Sequence, residues 1–122
     1  MRTKTRAWAL GVVAGAAAYL YLWLNPVMSN PILWPALCGL AGFLAFLTSD
    51  TTMPITLMAV LTGAFSLNVL HIAMDLAADP TSHNLFPFEL AFTLLLTGAG
   101  AAIGVCLARL VKHWIARPRI EH

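Results

Sequence analysis

The stretch Thr93–Lys112 reads TLLLTGAGAAIGVCLARLVK. From Thr93 to Ala108 no side chain is charged, and then Arg109 and Lys112 arrive within one turn of helix. The other end of the chain mirrors this transition. Arg2, Lys4 and Arg6 precede an apolar run that opens at Trp8. All seven lysines and arginines of the 122-residue chain lie at its two ends, and none falls between Trp8 and Ala108.

Sixty per cent of the residues are apolar and 10% are charged, against about 25% charged in soluble domains. A helix that crosses a hydrocarbon core of about 30 Å needs roughly 20 residues. The composition therefore predicts an all-α integral membrane protein, a four-transmembrane-helix bundle forming one domain over residues 1–122. Its spans are expected at about 8–24, 31–48, 54–75 and 89–110. The breaks come from proline and polar residues: Asn25-Pro26, the Ser49–Thr52 turn with Pro54 behind it, and Asp79-Pro80. Proline cannot continue a helix and disfavours helix at the residue before it. The basic start resembles a signal peptide, but the apolar run is long enough to span, so an uncleaved anchor is expected.

Lysine and arginine are retained on the cytoplasmic side. Two basic ends and an even number of crossings predict an inner (plasma) membrane protein with both termini cytoplasmic, N-in/C-in. Trp8 and Trp114 would then mark the inner surface, and Trp23 and Trp34 the outer one. The basic ends suit anionic lipid, with no need of a nucleic-acid partner. Cys38 and Cys106 lack C-x-x-C spacing and are expected as buried small apolar residues.

Helices in lipid associate through small residues. Gly11 and Gly15 supply such a face on the first span, and Gly98, Gly100 and Gly104 on the fourth. Cys38 with Gly42, and Ala41 with Ala45, supply one on the second. These faces hold the bundle together or join copies into a homo-oligomer or larger membrane complex.

Chemistry concentrates between residues 68 and 89. Asn68, His71 and Asp75 share one helix face by spacing, and Asp79 extends it if the helix reaches that far. His83 and Glu89 follow from the loop and the start of the fourth span. Asp75, Asp79 and Glu89 are three of the chain's five acids, with no lysine or arginine nearby. Asp75 ends its helix, where the dipole disfavours a carboxylate, so it calls for a partner: protonated His71, a metal ion or a cationic substrate. His71, Asp75, His83 and Glu89 form a candidate ligand set for a divalent metal such as zinc, manganese or iron.

Three functions fit these residues. The first is a transport-related protein with a cation or proton site of Asn68, His71, Asp75, Asp79, His83 and Glu89 at the outer face. The second is an accessory or assembly subunit that docks a partner through the 76–88 loop, with Phe86 and Phe88 as contacts. The third is a small metal-dependent membrane enzyme, for which no nucleophile motif, phosphate loop or cofactor fingerprint is present. The opposing reading makes the segment capping and solvated loop, with Asp79 as a cap before Pro80. Size and span count resemble those of small multidrug exporters and fluoride channels. The first span lacks the carboxylate expected of the exporters and no fluoride-channel motif is present, so neither family is assigned.

Overall fold

Four helices follow the predicted breaks: α1 (Arg2–Leu24), α2 (Leu33–Leu47), α3 (Met53–Ala78) and α4 (Phe86–Ile115). The computed structural model describes residues 2–25, 32–82 and 86–118. Pro54 sits at the start of α3, where a missing N–H costs nothing. Asp79, with extended backbone, closes the same helix. Asn30 and Pro31, expected at the start of the second span, lie outside the described residues, and α2 begins at Leu33.

Helices α1, α3 and α4 are long and apolar enough to cross a membrane. At 1.5 Å per residue, the 26 residues of α3 rise about 39 Å. The 15 residues of α2 rise only about 22 Å, short of the roughly 30 Å of a hydrocarbon core. Large apolar side chains such as Leu95, Ile103, Leu107 and Leu110 point outward, while Ala59, Val60, Ala64, Ala101, Val105 and Ala108 fill the centre. A surface this apolar is consistent with lipid as the solvent.

The main packing partners are not neighbours in sequence. α1 packs chiefly on α3, and α2 on α4. Within each pair the helices run parallel. Gly11 lies against Ala59, Gly15 against Val60 and, further along, Trp23 against His71. Pro35 meets Gly100 and Gly39 meets Gly104 in the second pair. The two pairs run antiparallel and join through α1 with α2 and α3 with α4. One end of the bundle, the loop end, therefore gathers the end of α1, the start of α2, the end of α3 and the start of α4. The tail end carries the basic residues. There Lys112 donates from Nζ to the Ser49 carbonyl at 2.6 Å and lies 4.6 Å from the Phe46 ring centroid.

Glycine makes both parallel contacts this close. A β-carbon on Gly15 would overlap the Val60 carbonyl, and one on Gly63 the Val12 carbonyl. One on Gly104 would overlap the Gly39 carbonyl, and one on Gly100 the Pro35 carbonyl. Four of the five glycines expected to pack do so tightly. Gly98 does not: its nearest neighbour would be a methyl of Leu61 at 3.7 Å. Cys38 is buried as expected, but Cys106 is exposed. It lies on the outward side of α4 with Ile103 and Leu107, a side that composition cannot tell from the core in a membrane helix.

These contacts separate two otherwise similar glycines. Gly104→Val should destabilise the chain by about 1–3 kcal/mol through overpacking. Gly98→Ala should be neutral or stabilise by up to about 1 kcal/mol. Equilibrium unfolding in mixed micelles measures both.

Candidate functional site

Three helix faces meet at the loop end. On α3, Asn68 and His71 face α1, and Asp75 lies one turn beyond His71 and beside its ring. On α1, the i, i+4 series that begins with Gly11 and Gly15 continues to Tyr19 and Trp23. The glycines bring the backbones together, and the aromatic residues then reach the polar face of α3.

The result is a continuous chain of polar contacts. The Tyr19 hydroxyl donates to Asn68 Oδ1 at 2.6 Å and lies 2.9 Å from His71 Nδ1. His71 Nε2 lies 3.2 Å from Asp75 Oδ2. Trp23 stacks on the His71 ring, with centroids 4.3 Å apart and planes 21° from parallel. Tyr19 is 2% exposed and Asn68 4%, whereas the Asp75 side chain is 41% exposed. The chain thus leads from an accessible carboxylate to a buried amide. Asn68 Nδ2 is buried with no hydrogen-bond partner.

A cavity of about 220 Å³ adjoins the buried end, bordered by Tyr19, Trp34, Asn68, His71, Glu89 and Phe92 among others. Tyr19 and Trp34 form one corner of it, edge to face, with centroids 5.7 Å apart. Trp34 is held by its indole N–H, which donates to Thr97 Oγ1 at 3.3 Å. Glu89, in the first turn of α4, brings a carboxylate from the opposite helix pair.

The expected site residues divide accordingly. Asn68, His71 and Glu89 border one cavity, and Asp75 pairs with His71. Asp79 turns away from this group. Its Oδ1 accepts from the Thr81 N–H at 3.0 Å and from the Thr81 hydroxyl at 2.7 Å, and the Ser82 hydroxyl donates to its carbonyl at 2.8 Å. The Thr81 hydroxyl, and then the Thr81 N–H, hold the Asp79 carboxyl below the usual carboxylate range. A carboxyl shifted in this direction fastens its turn at neutral pH and releases it only as the pH falls through the lowered value. His83 lies outside the described residues. Among the described residues no three His, Cys, Asp or Glu side chains come together to hold a metal ion. Phe86 and Phe88 are exposed at the start of α4.

Tyr19, Trp23 and Trp34 were not anticipated in the site. Tyr19 had a legible signal: a hydroxyl in mid-span, on the same face as Gly11 and Gly15, needs a partner when buried. Trp23 and Trp34 read as interfacial anchors, and nothing in their spacing distinguishes an anchor from a wall of a cavity.

The chain matches no family model, no curated protein and no solved structure. The chemistry of these residues is read from their own arrangement.

Removing the Tyr19 hydroxyl should leave the Asn68 amide unsatisfied. Tyr19→Phe is expected to cost about 1–3 kcal/mol, and adding Asn68→Leu should recover most of that loss, since removing both partners costs less than orphaning one. A double-mutant unfolding cycle measures the asymmetry.

Proposed function

We propose that this chain is a small multi-pass inner-membrane protein of four spans, with both termini cytoplasmic, and that its extracytoplasmic end carries a one-proton switch serving transport. The observation that carries this reading is the unbroken series Asn68, Tyr19, His71, Asp75, together with the unpartnered Nδ2 of Asn68.

Counting donors with Asp75 as a carboxylate gives two ways to bond the contacts among these four side chains. In the first, Tyr19 spends its only proton on Asn68 Oδ1. Its oxygen must then accept from Nδ1–H of His71, and Nε2 needs a proton of its own to bond Asp75. That is an imidazolium beside a carboxylate, with Asn68 Nδ2 unused. In the second, the Asn68 amide turns over and Nδ2 donates to Tyr19. Tyr19 donates to His71 Nδ1, and Nε2–H donates to Asp75. That arrangement holds one proton fewer. Each of the three contacts, Asn68–Tyr19, Tyr19–His71 and His71–Asp75, is a hydrogen bond in both. Among the described residues, Tyr19 and Trp23 from α1 and Asp75 from α3 touch His71, and Glu89 from α4 borders the same cavity. Both ring nitrogens are engaged, so the geometry suits a proton better than a metal ion.

Basic residues confined to the tail end support the orientation. The 15 residues of α2 fit a fourth span where the bilayer is locally thinned. A pathway for transport would run beside such a tightly packed bundle, so a homo-oligomer belongs to the proposal.

Two measurements test it. A cysteine placed at Ser82 in a variant lacking Cys38 and Cys106 should react with impermeant reagents on intact cells, and one at Arg117 should not; the reverse pattern overturns the orientation. In NMR of the labelled chain, the Asn68 side-chain amide resonances should follow the His71 ring as it titrates. In Tyr19→Phe they should stop following it, although His71 still titrates. Asn68 resonances that stay still while the wild-type ring titrates would sink the switch.

A further inference from the structure

The tail end of the bundle brings two cations to one turn. Arg109 and Lys112 stand three residues apart on α4, a spacing that sets β-carbons about 5–6 Å from each other. They reach opposite ends of the turn between α2 and α3. Lys112 Nζ donates to the Ser49 carbonyl at 2.6 Å and lies 4.6 Å from the Phe46 ring centroid. Arg109 Nη1 lies 3.2 Å from the sulfur of Met53, the first residue of α3. A thioether is a weak acceptor for a guanidinium with five N–H donors, and the lysine ammonium has three. Among the described residues neither cation forms an ion pair with a carboxylate, that of Asp50 in the same turn included.

A cleft of about 550 Å³ adjoins this turn, bordered by Phe46, Thr52, Met53, Pro54 and Arg109. Each cation rests on a bordering side chain, Lys112 on Phe46 and Arg109 on Met53. The volume falls within the roughly 300–1,000 Å³ of small-molecule sites. Thr52 adds a hydroxyl that does not cap α3. These groups discriminate among ligands. Two neighbouring cations suit an anion with several acceptor oxygens, and a phosphate group offers them to both. Phe46, Met53 and Pro54 are apolar, and Met58, one turn beyond Pro54, is 55% exposed. A soluble phosphate would leave that apolar border uncovered. A glycerophospholipid brings phosphate and acyl chain in one molecule. A choline headgroup would carry its own cation toward Arg109 and Lys112, and a glycerol headgroup would not.

The geometry points to a binding site for the phosphate of an anionic glycerophospholipid, held between Arg109 and Lys112 at the α2–α3 turn, with an acyl chain leaving along Met58. The site lies at the opposite end of the bundle from the proton switch and is independent of it. Arg109 exchanges the Met53 sulfur for phosphate oxygens. Lys112 keeps the Ser49 carbonyl with one N–H and offers the others. Basic tails attracted to an anionic surface act through their summed charge. A site acts through two particular side chains, and that difference can be measured.

NMR of the methyl-labelled methionines in uncharged detergent micelles tests this, with dioleoylphosphatidylglycerol as the probe. The Met53 methyl should shift saturably as lipid is added, while Met74 at the loop end should not. Dioleoylphosphatidylcholine and soluble glycerol 1-phosphate should each bind about tenfold more weakly or less. Arg109→Gln should weaken phosphatidylglycerol binding about tenfold or more. Lys112→Gln, whose amide can still donate to Ser49, should weaken it about fivefold or more. Arg117→Gln removes the same net charge and should change affinity by less than about twofold. An unchanged Met74 methyl reports that each variant is folded. A Met53 shift that fails to saturate, equal losses in Arg109→Gln and Arg117→Gln, or wild-type affinity in the folded Arg109→Gln and Lys112→Gln variants would overturn the site. Glycerol 1-phosphate binding as tightly as the lipid would overturn the lipid as its occupant.

Discussion

The close approach of α1 and α3 at Gly11, Gly15 and Gly63 sets the register on which the rest of the molecule depends. Backbone oxygens occupy the space where side chains would otherwise stand. Helices in lipid gain little from apolar burial against one another, because the tails are as apolar as leucine. Contact area and polar bonds must hold them instead. With the backbones this near, the next positions along the same face of α1 put Tyr19 against Asn68 and Trp23 over His71. A shift of one residue along α1 would rotate both aromatic residues off the face and leave Asn68 and His71 without these partners. Packing and chemistry thus use one stripe of α1, with glycine at the tail-end half and aromatic residues at the loop-end half.

The polar series is a costly thing to keep among apolar helices. Asn68 is nearly as buried as the alanines around it, and an amide without partners in such surroundings costs on the order of several kcal/mol. A leucine at that position would pack without this liability. The Tyr19 bond offsets the cost only in part, since Nδ2 remains without a partner. A residue selected for stability alone would not leave a donor unused at the edge of a cavity. The gradient of exposure points the same way. Asp75 is open and Asn68 closed, with His71 between them, which is the order the proposed switch requires.

Much of this was legible in the residues, and the reasons for the remainder are physical. Proline, the short polar turns and the placement of charge mark four helices, and the ends of α3 and α4 fall close to the expected boundaries. The shared face of Asn68, His71 and Asp75 follows from helical spacing, as do the small-residue faces of α1 and α4. What spacing does not tell is which face meets which helix. In water, a helix buries its apolar side and the pattern points inward. In a membrane-like helix both sides are apolar, so Cys106 turns outward and Gly98 meets only a loose methyl, although each looks like a packing residue. The parallel pairing of α1 with α3 and α2 with α4 is non-local and leaves no local mark. Hence Gly39, which meets Gly104, and Gly63, which meets Val12 and Ala16, were not anticipated, and Tyr19 was missed despite standing on the right stripe. Asp79 illustrates a competition that can be read: its side chain finds Thr81 two residues away, a bond available without any tertiary structure, and such local bonds win over distant ones.

The distribution of charge carries one more step. In the proposed orientation, a bias that keeps lysine and arginine at one side of a membrane would account for their absence from the loop end. It does not account for the acids there, because a neutral loop would satisfy the same bias. Asp75 and Glu89 stand at an end of the bundle whose sequence holds no lysine or arginine, and Asp75 lies beside His71, a residue whose charge depends on pH. A lysine in that place would hold Asp75 in a constant ion pair and leave the aromatic cavity beside a fixed positive charge. Histidine makes the charge conditional.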